Sequence, residues 1–188
     1  KDQILLKKSF LCVGLDVDLD KVPEHIKTMA DPLFEFSKAI IDATSAYAVA
    51  YKPNIAFFET YGPDGMTSLR RVMDYLNENH PEIFTIADAK RGDIGNTATR
   101  YAKAYFKTYN FDSITVTPYM GKDSVEPFLS FDEKYAIVLA LTSNAGSSDF
   151  QTQEVGGQML YEKVIQTSTQ WRGSERLMYV VGATKASA

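Results

Sequence analysis

The sequence predicts an α/β fold of successive strand–helix units around a parallel sheet, and three observations point to it. Short apolar runs alternate with longer amphipathic stretches along all 188 residues. No low-complexity linker interrupts the alternation, so residues 1–188 read as one domain. Polar and ionisable residues gather where the apolar runs end and not where they begin. A (β/α) barrel collects such groups at its C-terminal mouth, and a doubly wound sheet collects them in a crevice. The residues alone leave these two architectures open.

Taken in order, the runs at 10–15, 48–51, 84–87, 113–117, 135–141 and 178–181 are the predicted strands. Helices are predicted over 32–47, 65–77, 96–109, 124–129 and 156–170. In the first strand, Leu11, Val13, Leu15 and Val17 share one parity while Cys12, Gly14 and Asp16 share the other. Large side chains then face helices, and small ones with Asp16 face a crowded interior. In helix 32–47, Leu33, Phe36, Ile40 and Ala43 or Thr44 recur at helical spacing as a buried stripe. Asp31 supplies its N-cap and Pro32 its first position. Pro81 stops any helix that reaches Asn79. Gly156-Gly157 opens the last helix.

The strand ends repeat one theme. The second brings Ala48, Ala50 and Lys52 onto one face, and the fifth ends with Leu139, Leu141 and Ser143. The third apolar run, Ile83 to Ala87, leads directly into Asp88-Ala89-Lys90-Arg91-Gly92-Asp93-Ile94-Gly95-Asn96-Thr97. With the two-residue period of a strand, Asp88 and Lys90 project from the same face, a carboxylate beside an ammonium.

Composition narrows the class. With 45% hydrophobic residues the chain can bury a substantial core, and a net charge of −4 spread along it offers no basic surface for nucleic acid or anionic membranes. Cys12 is the sole cysteine, which excludes an internal disulfide or thiolate zinc cluster and favours a reducing, cytoplasmic setting. There is no leader pattern and no apolar run of the roughly 18 residues that span a bilayer. His25 and His80, expected in loops, lack metal-ligand spacing and triad partners. Neither a glycine-rich dinucleotide fingerprint nor a phosphate loop of the Gly-Lys-Ser/Thr kind occurs. Arg91-Gly92-Asp93 matches an adhesion tripeptide by chance alone.

What remains is an alternating set of charges: Asp16, Lys52, Asp88, Lys90 and Asp93. Neighbouring carboxylates favour the protonated form of a lysine, and neighbouring ammonium groups favour ionised aspartates. A lysine held cationic can donate a proton or stabilise developing negative charge, whereas a Schiff-base nucleophile needs a neutral amine. The competing reading is an ion-pair network that only stabilises the strand ends.

On these residues the chain resembles the orotidine 5′-phosphate decarboxylase family. Asp88-x-Lys90-x-x-Asp93 is similar to that family's D-x-K-x-x-D signature, and the fuller text from Asp88 through Ile94, Asn96 and Thr97 is similar to its longer-chain bacterial branch. Gly14-Leu15-Asp16, Lys52-Pro53-Asn54, Leu141-Thr142-Ser143-Asn144 and Val181-Gly182-Ala183-Thr184 resemble four further strand ends. The resemblance implies a (β/α)8 TIM barrel. It makes Lys90 the general acid that protonates C6 of the pyrimidine as carbon dioxide leaves. Asp88 sits against the substrate carboxylate, Lys52 and Asp16 hold the ribose hydroxyls, and Ser143 binds the ring, with Asn54 and Ile94 also contacting substrate. Asp93 and Thr97 reach into a neighbouring subunit's site, which implies a homodimer. The implied chemistry uses no metal and no organic cofactor, so positioning and preorganised charge carry it.

The family's barrel has eight units, with a phosphate-gripping glutamine after the seventh strand and an arginine after the eighth. Six units are expected here, with the C-terminal ones missing, and Gln158 and Arg172 fall in the wrong segments to replace that grip. Two other readings stand beside this one. A magnesium-dependent sugar-phosphate enzyme of the same superfamily shares the motif but carries an acidic ligand where this chain has Lys52, whose charge repels a cation. An inactive barrel fragment that only associates with a partner is the third.

Overall fold

Every pair of named strands with an assigned register runs parallel, the pattern of βα units. The computed structural model describes residues 2–182. They fall into two units, one running to Ala89 and including Lys107–Asp112, the other comprising Lys90–Phe106 and the residues from Ser113 onward. Ala183 and Thr184, read with the sixth strand end, lie outside the described residues.

The first unit contains α1 (Asp2–Lys7), β1 (Leu11–Leu15), α2 (Glu24–Lys27), α3 (Pro32–Thr44), β2 (Ala48–Pro53), α4 (Ile55–Glu59), α5 (Gly62–Asn79) and β3 (Phe84–Arg91) as far as Ala89. β2 lies between β1 and β3, pairing Gly14 with Lys52 and Tyr51 with Thr85. Asp31 caps α3 as expected, its Oδ1 accepting the Phe34 N–H at 3.1 Å. The buried face of α3 differs from the expected stripe: Leu33, Ser37 and Ile41 are buried, Phe36, Ile40 and Thr44 are half-buried, and Ala43 is exposed. A serine can centre that face because its hydroxyl donates to the Leu33 carbonyl at 2.8 Å. α5 extends beyond the predicted 65–77 in both directions and buries Leu69, Val72, Met73 and Leu76 at helical spacing. Gly65 is there for room, since a Cβ would run into the Phe58 carbonyl. His25 lies on α2, and His80 caps α5 with its ring edge-on to Tyr75 at 5.9 Å. His25 is thus helical rather than in a loop, while His80 lies just past the helix end, outside regular structure.

The parity split of β1 holds only in part. Leu15 and Val17 are buried, but Leu11, Cys12, Gly14 and Asp16 are exposed, so the first-strand interior is not crowded. Among the described strands β1 pairs with β2.

The second unit carries the last two residues of β3, α6 (Gly95–Lys103) continued by a π turn (Ala104–Thr108) up to Phe106, β4 (Ser113–Val116), α7 (Glu126–Leu129), β5 (Tyr135–Leu141), α8 (Leu160–Ser168) and β6 (Leu177–Val181). β5 lies between β4 and β6. All four residues of β4 are buried, and β5 is an almost continuous apolar run, as a strand covered on both faces requires. Phe106 packs edge-on against Phe128 at 6.3 Å and Phe131 at 5.5 Å. α8 starts at Leu160, four residues later than expected. Gly156 and Gly157 instead form the centre of a tight turn, both at positive φ, closed by Val155 N–H donating to the Gln158 carbonyl at 2.8 Å.

Candidate active site

β2 and β3 outrun the sequence prediction, which stopped each at its last apolar residue. The ladder continues through the charged positions, so that Asn54 bridges to Asp88 just past β2. Lys52 and Asp88 therefore sit on neighbouring strands of the first unit. The Lys52 ammonium donates to Asp88 Oδ2 at 2.8 Å, with side chains 33% and 11% exposed. A charge-assisted bond in this half-desolvated setting is worth more than the same pair on a surface. Asp16 is held by Asn54, whose amide Nδ2 donates to its Oδ2 at 3.1 Å. Asn54 occupies the N-cap of α4 yet makes no side-chain cap, and its backbone N–H donates to the Leu15 carbonyl at 3.2 Å. One residue thus ties the ends of β1, β2 and β3. The unit brings together Lys52, Asp88, Asn54 and Asp16, four of the predicted site residues.

Cys12 belongs to this neighbourhood, although the sequence reading used it only as a redox marker. Although Cys12 is exposed overall, partial desolvation of its thiol pushes it above the ordinary range, Lys52 draws it back in part, and Asp88 pushes it up again.

The second unit holds Lys90, Asp93, Ile94, Thr97 and Ser143. Lys90 has a left-handed backbone with φ 49°, which the strand-period argument did not anticipate. For a residue with a long side chain this conformation costs roughly 1–3 kcal/mol and persists only where the surroundings enforce it. Its N–H donates to Thr115 Oγ1 at 2.9 Å, and the Arg91 carbonyl accepts from the Thr117 N–H at 2.9 Å. The chain bends at Lys90 and again at Gly95, with φ 53°, while Gly92 is needed because a Cβ there would collide with Thr117 Oγ1. Asp93 is half-buried and accepts its neighbour Ile94's N–H at 2.8 Å. Ile94 is 53% exposed, and Thr97 is exposed in the first turn of α6. Ser143 is exposed just after β5, with its backbone close behind Gly182.

Among the described residues no group of three or more His, Cys, Asp or Glu side chains could hold a metal ion, and no helix is long and apolar enough to cross a membrane. Sequence reasoning missed Thr115 and Thr117. Their only signal was that they alternate with Ile114 and Val116 in the run 113–117, together with Ser113.

Parallel βα units that present lysines and carboxylates at the C-terminal ends of their strands define a class of enzymes whose sites are built from strand ends. Within that class, the chain belongs to the orotidine 5'-phosphate decarboxylase / HUMPS family, whose sequence profile matches residues 9–187. It is 64% identical to an orotidine 5'-phosphate decarboxylase of Flavobacterium johnsoniae over 185 residues, covering 98% of this chain and 68% of the relative. It is 63% identical to the enzyme of that name from Christiangramia forsetii, with the same coverage. Among solved structures, Leishmania donovani OMP decarboxylase matches with a TM-score of 0.85 at 41% identity, over 98% of this chain and 70% of that one. Leishmania donovani UMP synthase matches with a TM-score of 0.86 at 40% identity, over 98% of this chain and 40% of that one. The fold class is accordingly that of the (β/α)8 barrel, with six parallel strands among the described residues.

Proposed function

We infer that this chain decarboxylates orotidine 5′-monophosphate to uridine 5′-monophosphate and carbon dioxide, a carboxy-lyase step of pyrimidine biosynthesis. The observation that carries the reading is the end of β3, where Asp88, paired at 2.8 Å with Lys52, stands two residues before Lys90 in the family's motif. Lys90 is the proton donor to C6 as carbon dioxide departs, so atoms balance with one proton replacing the carboxylate. Asp88 faces the departing carboxylate, and Lys52 holds Asp88 while reaching the ribose hydroxyls together with Asp16. Asn54, Ile94 and Ser143 complete the nucleotide contacts. No metal or organic cofactor is assigned a part in this scheme.

Asp93 and Thr97 act in the site of a second copy in a homodimer, a reading supported by the exposure of Ile94 and Thr97 at the start of α6. A free thiol at Cys12 fits a cytoplasmic enzyme. The test is direct: the intact protein is assayed for loss of orotidine 5′-monophosphate, before and after exhaustive EDTA treatment. Turnover indifferent to the chelator is expected. Activity lost to EDTA and restored by magnesium would move the chain to the sugar-phosphate branch of its superfamily.

A further inference from the structure

We propose that Thr115 and Thr117 are positioning residues that fix the proton donor by clamping its backbone, an inference that rests on the assignment of Lys90 above. Three observations within the second unit converge on the turn Lys90-Arg91-Gly92. Lys90 sits in the left-handed region at φ 49°, where a long side chain has no intrinsic reason to stay. Its N–H donates to the hydroxyl of Thr115, a residue only 4% exposed, at 2.9 Å. One residue on, the Thr117 N–H holds the Arg91 carbonyl at 2.9 Å, and Thr117 Oγ1 fills the space that a Cβ on Gly92 would need.

The opposite side of the turn is also held. The Arg91 guanidinium donates to the Tyr105 hydroxyl at 2.9 Å and lies over the rings of Tyr101 and Tyr105, 5.4 and 5.7 Å from their centroids. A regular strand would need none of this. The arrangement makes sense if the direction in which the Lys90 side chain leaves the backbone must be exact to a fraction of an ångström, as proton transfer in the transition state demands. β4 then serves two purposes: its apolar residues fill the core, and its hydroxyls set the donor.

The experiment uses the full-length enzyme and compares Thr115→Val, which keeps shape and removes the hydroxyl, with Thr115→Ser, which keeps the hydroxyl. Gly92→Ala is compared with the double variant Gly92→Ala/Thr117→Ala, in which the colliding oxygen is gone. For each, kcat, KM and thermal unfolding are measured, with Lys90→Ala as reference. Thr115→Val should lower kcat by roughly 10–100-fold with KM nearly unchanged, the expected consequence of a misplaced group. Thr115→Ser should stay within a few-fold of wild type, and the Thr117→Ala change should recover most of the activity lost in Gly92→Ala. A clamp that merely stabilises the fold would move the unfolding temperature and leave kcat per folded molecule at the wild-type value, which overturns the proposal. If Thr115→Val does not fold, the glycine pair decides, and absence of recovery in the double variant overturns it. Near-normal turnover by Lys90→Ala would instead remove the assignment on which it rests.

Discussion

In the first unit, Lys52 and Asp88 meet at 2.8 Å and Asn54 reaches Asp16 at 3.1 Å, so side chains from adjacent strand ends hold one another. In the second unit, Lys90 is held through its backbone, by a threonine hydroxyl and a left-handed turn. The difference follows from what each group has to do. A charge that orients or crowds a bound group can be fixed by a partner charge, because the pairing survives binding. Lys90, proposed above as the proton donor, takes its direction from the backbone that carries it. On the proposed roles, preorganised electrostatics and preorganised geometry are thus carried by different residues, Asp88 with Lys52 and Lys90, although Asp88 and Lys90 share β3.

The largest effect separating the two regions is expected at Lys90. Lys90→Ala should lower kcat by roughly 10²–10⁴-fold, the span of a lost general acid, with little change in unfolding temperature because the site is a polar strand end. Product formation and thermal unfolding measured on the same preparation check this. Turnover near wild type would remove the chemical asymmetry between the units.

The next effect asks whether the second unit also serves a neighbouring copy. Lys90→Ala and Asp93→Ala chains, each inactive as a homodimer, should regain activity when mixed, since a hybrid dimer contains one wild-type site. Up to about a quarter of wild-type activity is expected, from half the dimers carrying one good site in two, given statistical exchange of symmetric subunits. Subunit exchange followed by mass spectrometry without any gain in turnover would argue for sites made within one chain.

How far these features were legible in the sequence depends on what fixes them. The six strands were visible because β4 and β5 are buried apolar runs and α5 has a strong helical stripe. The charged strand end was visible because Asp88, Lys90 and Asp93 stand in one short motif. What escaped were features set by tertiary contact. The apolar run stops at Ala87 and the predicted strand stopped with it, yet β3 continues through the charged residues to Arg91. The left-handed backbone at Lys90 has no signal in the sequence, because glycine is its usual carrier and Lys90 takes it under constraint from β4. Asn54 reads locally as a helix cap, and only the approach of β1 turns its amide to Asp16. Ser37 was not part of the expected apolar stripe, and its bond to the Leu33 carbonyl lets it lie inside.

A smaller effect sharpens the first unit's side of the comparison. Asn54→Ala should release Asp16 without disturbing Lys52 and Asp88, and so raise KM about tenfold while kcat changes little, the scale of one hydrogen bond to a charged group. Asn54→Asp, which sets a second carboxylate against Asp16, should be worse than alanine. If Asn54→Ala instead lowered kcat and left KM alone, the first unit would be holding groups for the chemical step and the division of labour would fail.

The smallest effect lies behind the strand ends, in the core that supports them. Tyr51 lies directly before Lys52 on β2, is fully buried, and donates its hydroxyl to the Ile41 carbonyl at 3.0 Å while touching Thr44 Oγ1 at 2.8 Å. Tyr51→Phe should cost about 1 kcal/mol of stability and leave kcat unchanged, because Ile41's carbonyl keeps its bond from the Ser45 N–H at 2.8 Å. The same hydroxyl gives a pH signature. Burial raises its ionisation above the ordinary value of 10.0. A group whose folded pKa is raised contributes stability that is fully present below the unfolded pKa and is lost as pH rises through the folded one. Wild type should therefore lose stability from about pH 10 upward more steeply than Tyr51→Phe, as read by denaturant unfolding at matched ionic strength. Parallel curves for the two proteins above pH 10 would mean that the Tyr51 hydroxyl is not sealed by α3, and that β2 presents Lys52 from a looser support than its pairing with Asp88 implies.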